Sequence, residues 1–213
     1  MTSSAISARS RKRPEERREE ILSHAAVIAL EEGLERITLR AVAERLAVRP
    51  GLITHYFPAA EDLVTDAFAR AAVLEREQFF PAGEDPVARL AHFVGYIESG
   101  ASTALARLWL NARHLSRFSP SLAVVLEEQD ALDRERLTAL IDDGIASGDF
   151  VGVDAEAACI RIFIAVDGGG SYVNSPAAHE HPAHKNFLSD VAEWALNLEP
   201  GTLRAASGRK PSA

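Results

Sequence analysis

The sequence is 213 residues long, 47% hydrophobic and 25% charged, the balance of a soluble globular chain, with a formal net charge of −8. A single cysteine, Cys159, rules out an intrachain disulfide and a zinc site built from cysteines, and no apolar run approaches the roughly 20 residues of a membrane span. The basic residues within Met1–Pro14 lack the apolar stretch that a signal peptide places behind them, so a reducing cytoplasm is the expected compartment.

The charge is unevenly divided. Residues 1–57 carry +2 and the remainder −10, which leaves the N-terminal end as the part suited to meet phosphate. Residues 1–14 are polar and aperiodic and read as a disordered tail. Its basic cluster, Arg9, Arg11, Lys12 and Arg13, is either a phosphate-tracking arm or a solvated tail.

From there the pattern is helical. Ile21, Leu22, Ala25, Ile28 and Ala29 recur at helical spacing and predict an amphipathic helix over 15–32, ended by Gly33 in a left-handed cap. Thr38 is a natural N-cap for a short second helix carrying Leu39, Val42, Ala43 and Leu46. Pro50 fits the first turn of a third helix running to Tyr56, because its missing N–H costs nothing there. After Pro58 a fourth helix places Leu63, Val64, Ala67, Phe68 and Ala71 on one face.

Longer helices follow near 85–99, 102–117, 120–147, 154–174 and 184–198, and the segment 201–213, rich in small residues, reads as a second disordered tail. No segment alternates with a period of two. The expected fold class is therefore all-α, with about nine helices: a helix-turn-helix domain over 15–60 joined to a larger helical bundle over 61–200.

The informative stretch is TLRAVAERLAVRPGLITHYF, Thr38 to Phe57. Two short helices joined by a tight turn, with small Ala43 where they cross, form a helix-turn-helix whose core Leu39, Val42, Leu46, Val48 and Ile53 can fill. Its second helix suits a major groove, and Thr38, Arg49, Thr54, His55 and Tyr56 are polar groups suited to phosphates and base edges.

On these residues the segment 17–68 resembles the DNA-binding domain of the tetracycline-repressor (TetR) family, through RREEILSHAAVIALEEG, TLRAVAERL and PGLITHYFP. The C-terminal half, especially LWLNARHLSRFSPSLAVVLEEQDALDRERLTALIDDGIASGDF, is similar to the branch that includes the choline–betaine pathway repressor. The resemblance implies a homodimeric, ligand-responsive regulator, with a repressor released from a palindromic double-stranded operator by a small-molecule effector as its expected form. A ligand-independent architectural DNA binder is the alternative. It implies DNA contacts from Thr38, Arg40, Arg49, Pro50, Gly51, Leu52, Thr54, His55 and Tyr56, with Thr38 and Tyr56 on phosphates. Three positions depart from the family's pattern. Ala47 stands where the turn often has glycine, so it must avoid a positive φ or accept strain. Arg49 replaces the usual Ser or Thr, losing a cap and adding a base- or phosphate-directed cation, and Ala60 replaces a lysine.

The resemblance also implies dimerisation through the last two long helices, where Ile162, Val166, Phe187, Val191, Trp194 and Leu198 are the interface candidates and Trp194 an anchor. Ligand candidates combine aromatic bodies with polar tips: Phe93, Tyr96, Trp109, Asn111, His114, Phe163, Asp167 and Tyr172. Asp167 in a pocket favours a cationic or hydrogen-bonding ligand. Gly168, Gly169 and Gly170 inside a predicted helix require either a close crossing, in a dimer seam or over a ligand, or an early end at Asp167.

His179, His181 and His184 with Glu180 form a histidine-rich loop that reads as solvated rather than as a metal site. No phosphate loop, nucleophile elbow or zinc-protease helix occurs, and adjacent carboxylates such as Asp142 and Asp143 point to different helix faces. No catalytic residue, metal or cofactor is expected.

Overall fold

The computed structural model describes residues 13–83, 85–175 and 181–208. Arg9, Arg11, Lys12, His179 and Glu180 lie outside that set. The described residues form α1 (Pro14–Glu32), a 3-10 turn (Leu34–Arg36), α2 (Leu39–Arg45), α3 (Pro50–Tyr56), α4 (Ala60–Phe79), α5 (Pro86–Glu98), α6 (Thr103–Leu115), α7 (Pro120–Ser147), α8 (Ala155–Gly170), α9 (Pro182–Lys185), α10 (Phe187–Ala195) and α11 (Thr202–Ala206). The all-α class is as expected, and no strand occurs among the described residues.

Local chemistry sets these boundaries. Thr38, Asp85, Ser119 and Asp154 each accept a hydrogen bond from the backbone N–H three residues on, satisfying a donor that the first turn leaves open. Proline occupies the first turn of α1, α3, α5 and α7. Gly33 does end α1 with a positive φ of 106°, but its ψ of 159° is extended rather than left-handed helical.

Two apolar cores result. The first joins Ile21, Ala25, Val42, Ala43, Ile53, Phe57 and Phe68 with Leu105, Leu108 and Ala112 of α6 and Leu122 of α7. The second joins α5, α7, α8, α10 and α11 around Leu90, Phe93, Leu137, Ile141, Phe150 and Ile162. Helix α4 packs on both α1 and α7, its α7 contacts running from Glu61 beside Ser119 and Ser121 at its start to Arg76 beside Asp133 near its end. It is the rod on which both ends are built.

Three expectations are corrected. The predicted C-terminal tail contains α11, whose Leu203 is buried and whose open N–H groups at Gly201 and Leu203 are accepted by the buried Glu193 carboxylate at 2.7 and 2.9 Å. The predicted helix 184–198 is two helices, α9 and α10, so the described residues hold eleven α-helices rather than nine. The glycine run neither ends α8 at Asp167 nor marks a helix crossing within the chain, since Cβ atoms on Gly168 and Gly169 would meet nothing within 4 Å and one on Gly170 only Ala106 Cβ at 4.0 Å.

Ala47 takes the strained option, with φ of 52°. The Val48 N–H donates to Ala43 O at 2.9 Å and the Ala47 N–H to Glu44 O at 3.1 Å, the paired bonds that usually require glycine between them. A left-handed non-glycine residue costs roughly 1–2 kcal/mol, while glycine gives back about 0.4–1 kcal/mol through the unfolded chain. Ala47→Gly is therefore expected to raise unfolding stability by a few tenths to about 1 kcal/mol in a denaturant titration. A loss of stability would show that the turn is not strained.

Candidate functional site

The first candidate surface is the outer side of the helix-turn-helix. Ile53 and Phe57 point into the core, which turns the rest of α3 outward. Thr38, Arg40, Arg49, Pro50, Gly51, Thr54 and His55 are exposed, while Leu52 and Tyr56 are half-buried. None of the nine expected DNA contacts is buried.

Their present partners define what each can still do. Thr38 Oγ1 accepts the Ala41 N–H at 3.0 Å, and its own hydroxyl proton remains available to a phosphate. Thr54 Oγ1 donates to Pro50 O at 3.3 Å, and the Arg40 guanidinium donates to Glu44 at 2.8 Å. Arg49 occupies the N-cap position of α3 without capping it. A Cβ on Gly51 would meet nothing within 4 Å, so its small size serves no contact inside the chain.

The head is held by charge as well as by its core. Arg18 donates to Asp66 at 2.5 Å and lies over the Phe57 ring at 4.8 Å. Arg70 pairs with Glu19, and Arg45 with Glu31 and Glu32. The Glu61 carboxyl, at the start of α4, accepts from Ser121 and Ser119 at the start of α7, and these bonds hold its pKa below the usual carboxylate value.

The second candidate site is a cavity of about 580 Å³ between α5, α6, α7, α8 and α10, within the usual size range of small-molecule sites. Phe79, Trp109, Leu110, Phe163 and Val166 form its apolar wall, and Glu98, Asp130, Asp133, Asp167, Arg113 and Lys185 are its charged groups. Gly169 and Gly170 line it too, so two of the three glycines stand over open cavity.

Of the eight ligand candidates, Trp109, Phe163 and Asp167 line this cavity. The other five need correction. Phe93 is buried in the second core, stacked on Phe80 at 5.2 Å. Tyr96 sits behind the wall beside Phe79 and Glu75. Asn111 turns toward the head, its Oδ1 accepting the Leu34 N–H at 2.8 Å. His114 is exposed against Phe118 at 5.8 Å, and Tyr172 lies against His184 at 5.7 Å. Of the described histidines in this segment, His181 accepts the Ala183 N–H at Nδ1 and His184 lines the cavity.

Sequence reasoning missed the acidic floor. Asp130 and Asp133 are one turn apart on α7, where carboxylates ordinarily face water. Asp133 is instead buried, accepting from Arg76 Nε at 2.5 Å, while Arg76 also donates to Gln129 O and Oε1 at 3.1 and 3.0 Å. Burial pushes the Asp133 carboxyl from 3.8 up to about 6, against the pull of the Arg76 charge. Burial likewise raises Asp167, with Arg113 opposing. The spacing to Arg76, 57 residues away in sequence, carried no local signal.

Of the expected interface residues, Ile162 is corrected: it is fully buried in the second core. The outward apolar face belongs to Ile160 and Ile164 of α8, 46% and 67% exposed, beside Phe187 and Trp194 of α10, 47% and 64% exposed. Val166, Val191 and Leu198 are half-buried and pack against the second core, with Val166 also lining the cavity. The Arg161 guanidinium lies over the Trp194 ring at 4.9 Å.

Residues 21–67 match the family model of the bacterial regulatory proteins, tetR family. Over this N-terminal stretch the chain is similar to the TetR family. It is 38% identical over 74 residues to the HTH-type transcriptional repressor KstR of Rhodococcus jostii (strain RHA1), a stretch that covers 35% of this chain and 33% of that repressor. The chain thus matches about a third of the length of that relative. The whole fold is similar to that of a transcriptional regulator from Saccharomonospora viridis in complex with choline, with a TM-score of 0.70 at 19% identity over 84% of this chain and 96% of the other. A TetR transcription regulator from Haloarcula marismortui matches with a TM-score of 0.69 at 19% identity over 86% and 97% of the two chains.

The buried pair between α4 and α7 gives a test of the cavity floor. With a folded-state pKa near 6 against 3.8 for an ordinary aspartate, Asp133 binds a proton more readily in the native chain, so its contribution to stability falls as pH rises through that window. A carboxyl-detected NMR titration should place its midpoint near 6 in the unaltered chain and higher in Arg76→Met, where the opposing cation is gone. An unchanged or lower midpoint in Arg76→Met would contradict the pairing.

Proposed function

We propose that this chain is a ligand-responsive transcriptional repressor: two copies associate through α8 and α10, grip a palindromic operator with their helix-turn-helix domains, and release it when a small molecule fills the cavity. Residues 15–60 act as the DNA-binding unit and 61–200 as the sensing and dimerising unit, working in the cytoplasm.

One observation carries the reading. Helix α6 belongs to both the cavity and the head: Trp109 walls the cavity and meets Phe68 of α4 edge-on at 5.2 Å, and Asn111 two residues later accepts the Leu34 N–H. A ligand that moves this wall has a packed route to the helix-turn-helix, a physical path by which the two ends can be coupled. A ligand-blind architectural protein would have no use for such a cavity. The resemblance to the choline–betaine branch, and the choline bound by the Saccharomonospora viridis regulator of similar fold, support a small organic molecule as effector.

DNA recognition is tested by titrating operator variants at two salt concentrations. Tyr56→Phe should weaken every sequence by a similar factor, because a phosphate contact carries no base information. Arg49→Ala should either relax one base pair per half-site by about 1–3 kcal/mol, the signature of base reading, or weaken all sites alike and lower the salt slope by about one charge per subunit. Full affinity in the double variant would remove α3 from the interface.

Association is tested at Trp194. A desolvated charge at a subunit seam is strongly unfavourable, so Trp194→Asp should sediment as a folded monomer at micromolar concentration where the unaltered chain is a dimer. A dimer that tolerates Trp194→Asp would place the seam elsewhere.

A further inference from the structure

The cavity already contains a cation, and the chain itself supplies it. Of the four carboxylates around the cavity, two are held by fixed donors. Asp133 is bonded to buried Arg76, and Glu98 accepts the Ser189 N–H and Oγ at 2.8 and 2.9 Å. The other two, Asp130 and Asp167, share Arg113. Its Nη2 lies 2.8 and 2.9 Å from the two Asp167 oxygens and 3.6 Å from Asp130, and its guanidinium carbon is 5.4 Å from the centre of the Trp109 ring. An aromatic face with two carboxylates beside it is the chemistry that receives an organic cation.

We propose that Trp109, Asp130 and Asp167 form a cation cage that Arg113 occupies as a tethered stand-in, and that the effector is an organic ammonium ion which displaces it. The inference rests on the cavity being the effector site. Three observations favour exchange over a permanent structural bridge. The Arg113 side chain is 38% exposed, so its guanidinium can turn into water without crossing a buried path. Asp130 keeps a second partner, Arg134 at 2.7 Å, and is not left bare during the exchange. The apolar wall of Phe79, Phe163 and Val166 stands next to the cage and would cover the carbon substituents of an alkylammonium, which the guanidinium does not use. An anion would need to sit on Arg113 and Lys185 among four carboxylates, and the charge balance opposes it.

The exchange has a mechanical consequence. While bonded, Arg113 staples α6 to α7 through Asp130 and to α8 through Asp167. Its release by a ligand loosens the one helix that also carries Trp109 and Asn111 toward the head. Binding energy is thereby spent on changing α6, which gives the ligand the differential affinity that a switch needs.

The test uses three probes of one shape and different charge: tetramethylammonium, tert-butanol and trimethylacetate, each titrated calorimetrically into the full-length chain. Tetramethylammonium should bind and the other two should not. If Arg113 fills the cage about nine-tenths of the time, Arg113→Gln should tighten tetramethylammonium about tenfold, because the apparent affinity is reduced by the competent fraction. Arg113→Lys, which keeps a competing cation, should stay closer to the unaltered chain, and Asp167→Asn should weaken binding. Weaker tetramethylammonium binding in Arg113→Gln, or preference of the unaltered chain for tert-butanol or trimethylacetate, overturns the cage. The probe comparison on the unaltered chain holds even if a variant fails to fold. Tetramethylammonium that binds through the cage but leaves DNA affinity unchanged would uphold the cage and count against the repressor reading alone.

Discussion

The structure depends on Trp109 serving two surroundings at once. Its indole packs edge-on against Phe68 in the core of the head, and it also walls the cavity beneath Arg113. Close-packed interiors respond to displacement by repacking rather than by yielding continuously. A side chain shared between a tight core and an open cavity is therefore where occupancy of the cavity is felt by the packing of the head. Asn111 extends the link, because the Leu34 N–H that it accepts belongs to the turn leading into α2.

The two ends of the molecule differ in how they are held. The helix-turn-helix is pinned to α1 and α4 by a shared apolar core and by surface ion pairs, so α3 presents a fixed outward face. The cavity end has its own apolar core, and around the cavity it adds polar contacts: Arg76 with Asp133, Arg113 with Asp130 and Asp167, and Ser189 with the Glu98 carboxylate. Pairs of this kind stabilise little relative to apolar packing, but removing one member of a buried pair is costly. Charged contacts around a cavity can thus be exchanged for contacts to a ligand, while the reading head stays intact.

Much of the architecture was legible in the sequence because the signals were local. Thr38, Asp85, Ser119 and Asp154 cap where capping residues should, and prolines open five of the described helices. Where the sequence misled, the deciding information was long-range. Helix α8 is apolar nearly all round, so periodicity could not tell that Ile162 faces the core while Ile160 and Ile164 face out. The short helix α11 carries a lone buried leucine and depends on Glu193 of the preceding helix for its cap. Aromatic residues at helical spacing divided between core and cavity, Phe93 to one and Phe163 to the other, and only packing distinguishes them.

The cavity and the head share a packed link through α6. Amide hydrogen exchange at Leu34 reads that link directly, since its N–H is bonded to Asn111 Oδ1 at 2.8 Å. Saturating the cavity with tetramethylammonium is predicted to change the protection of the Leu34 amide by about fivefold or more, the lower end of typical coupling between sites. Unchanged protection at Leu34, with the cavity demonstrably filled, would contradict it.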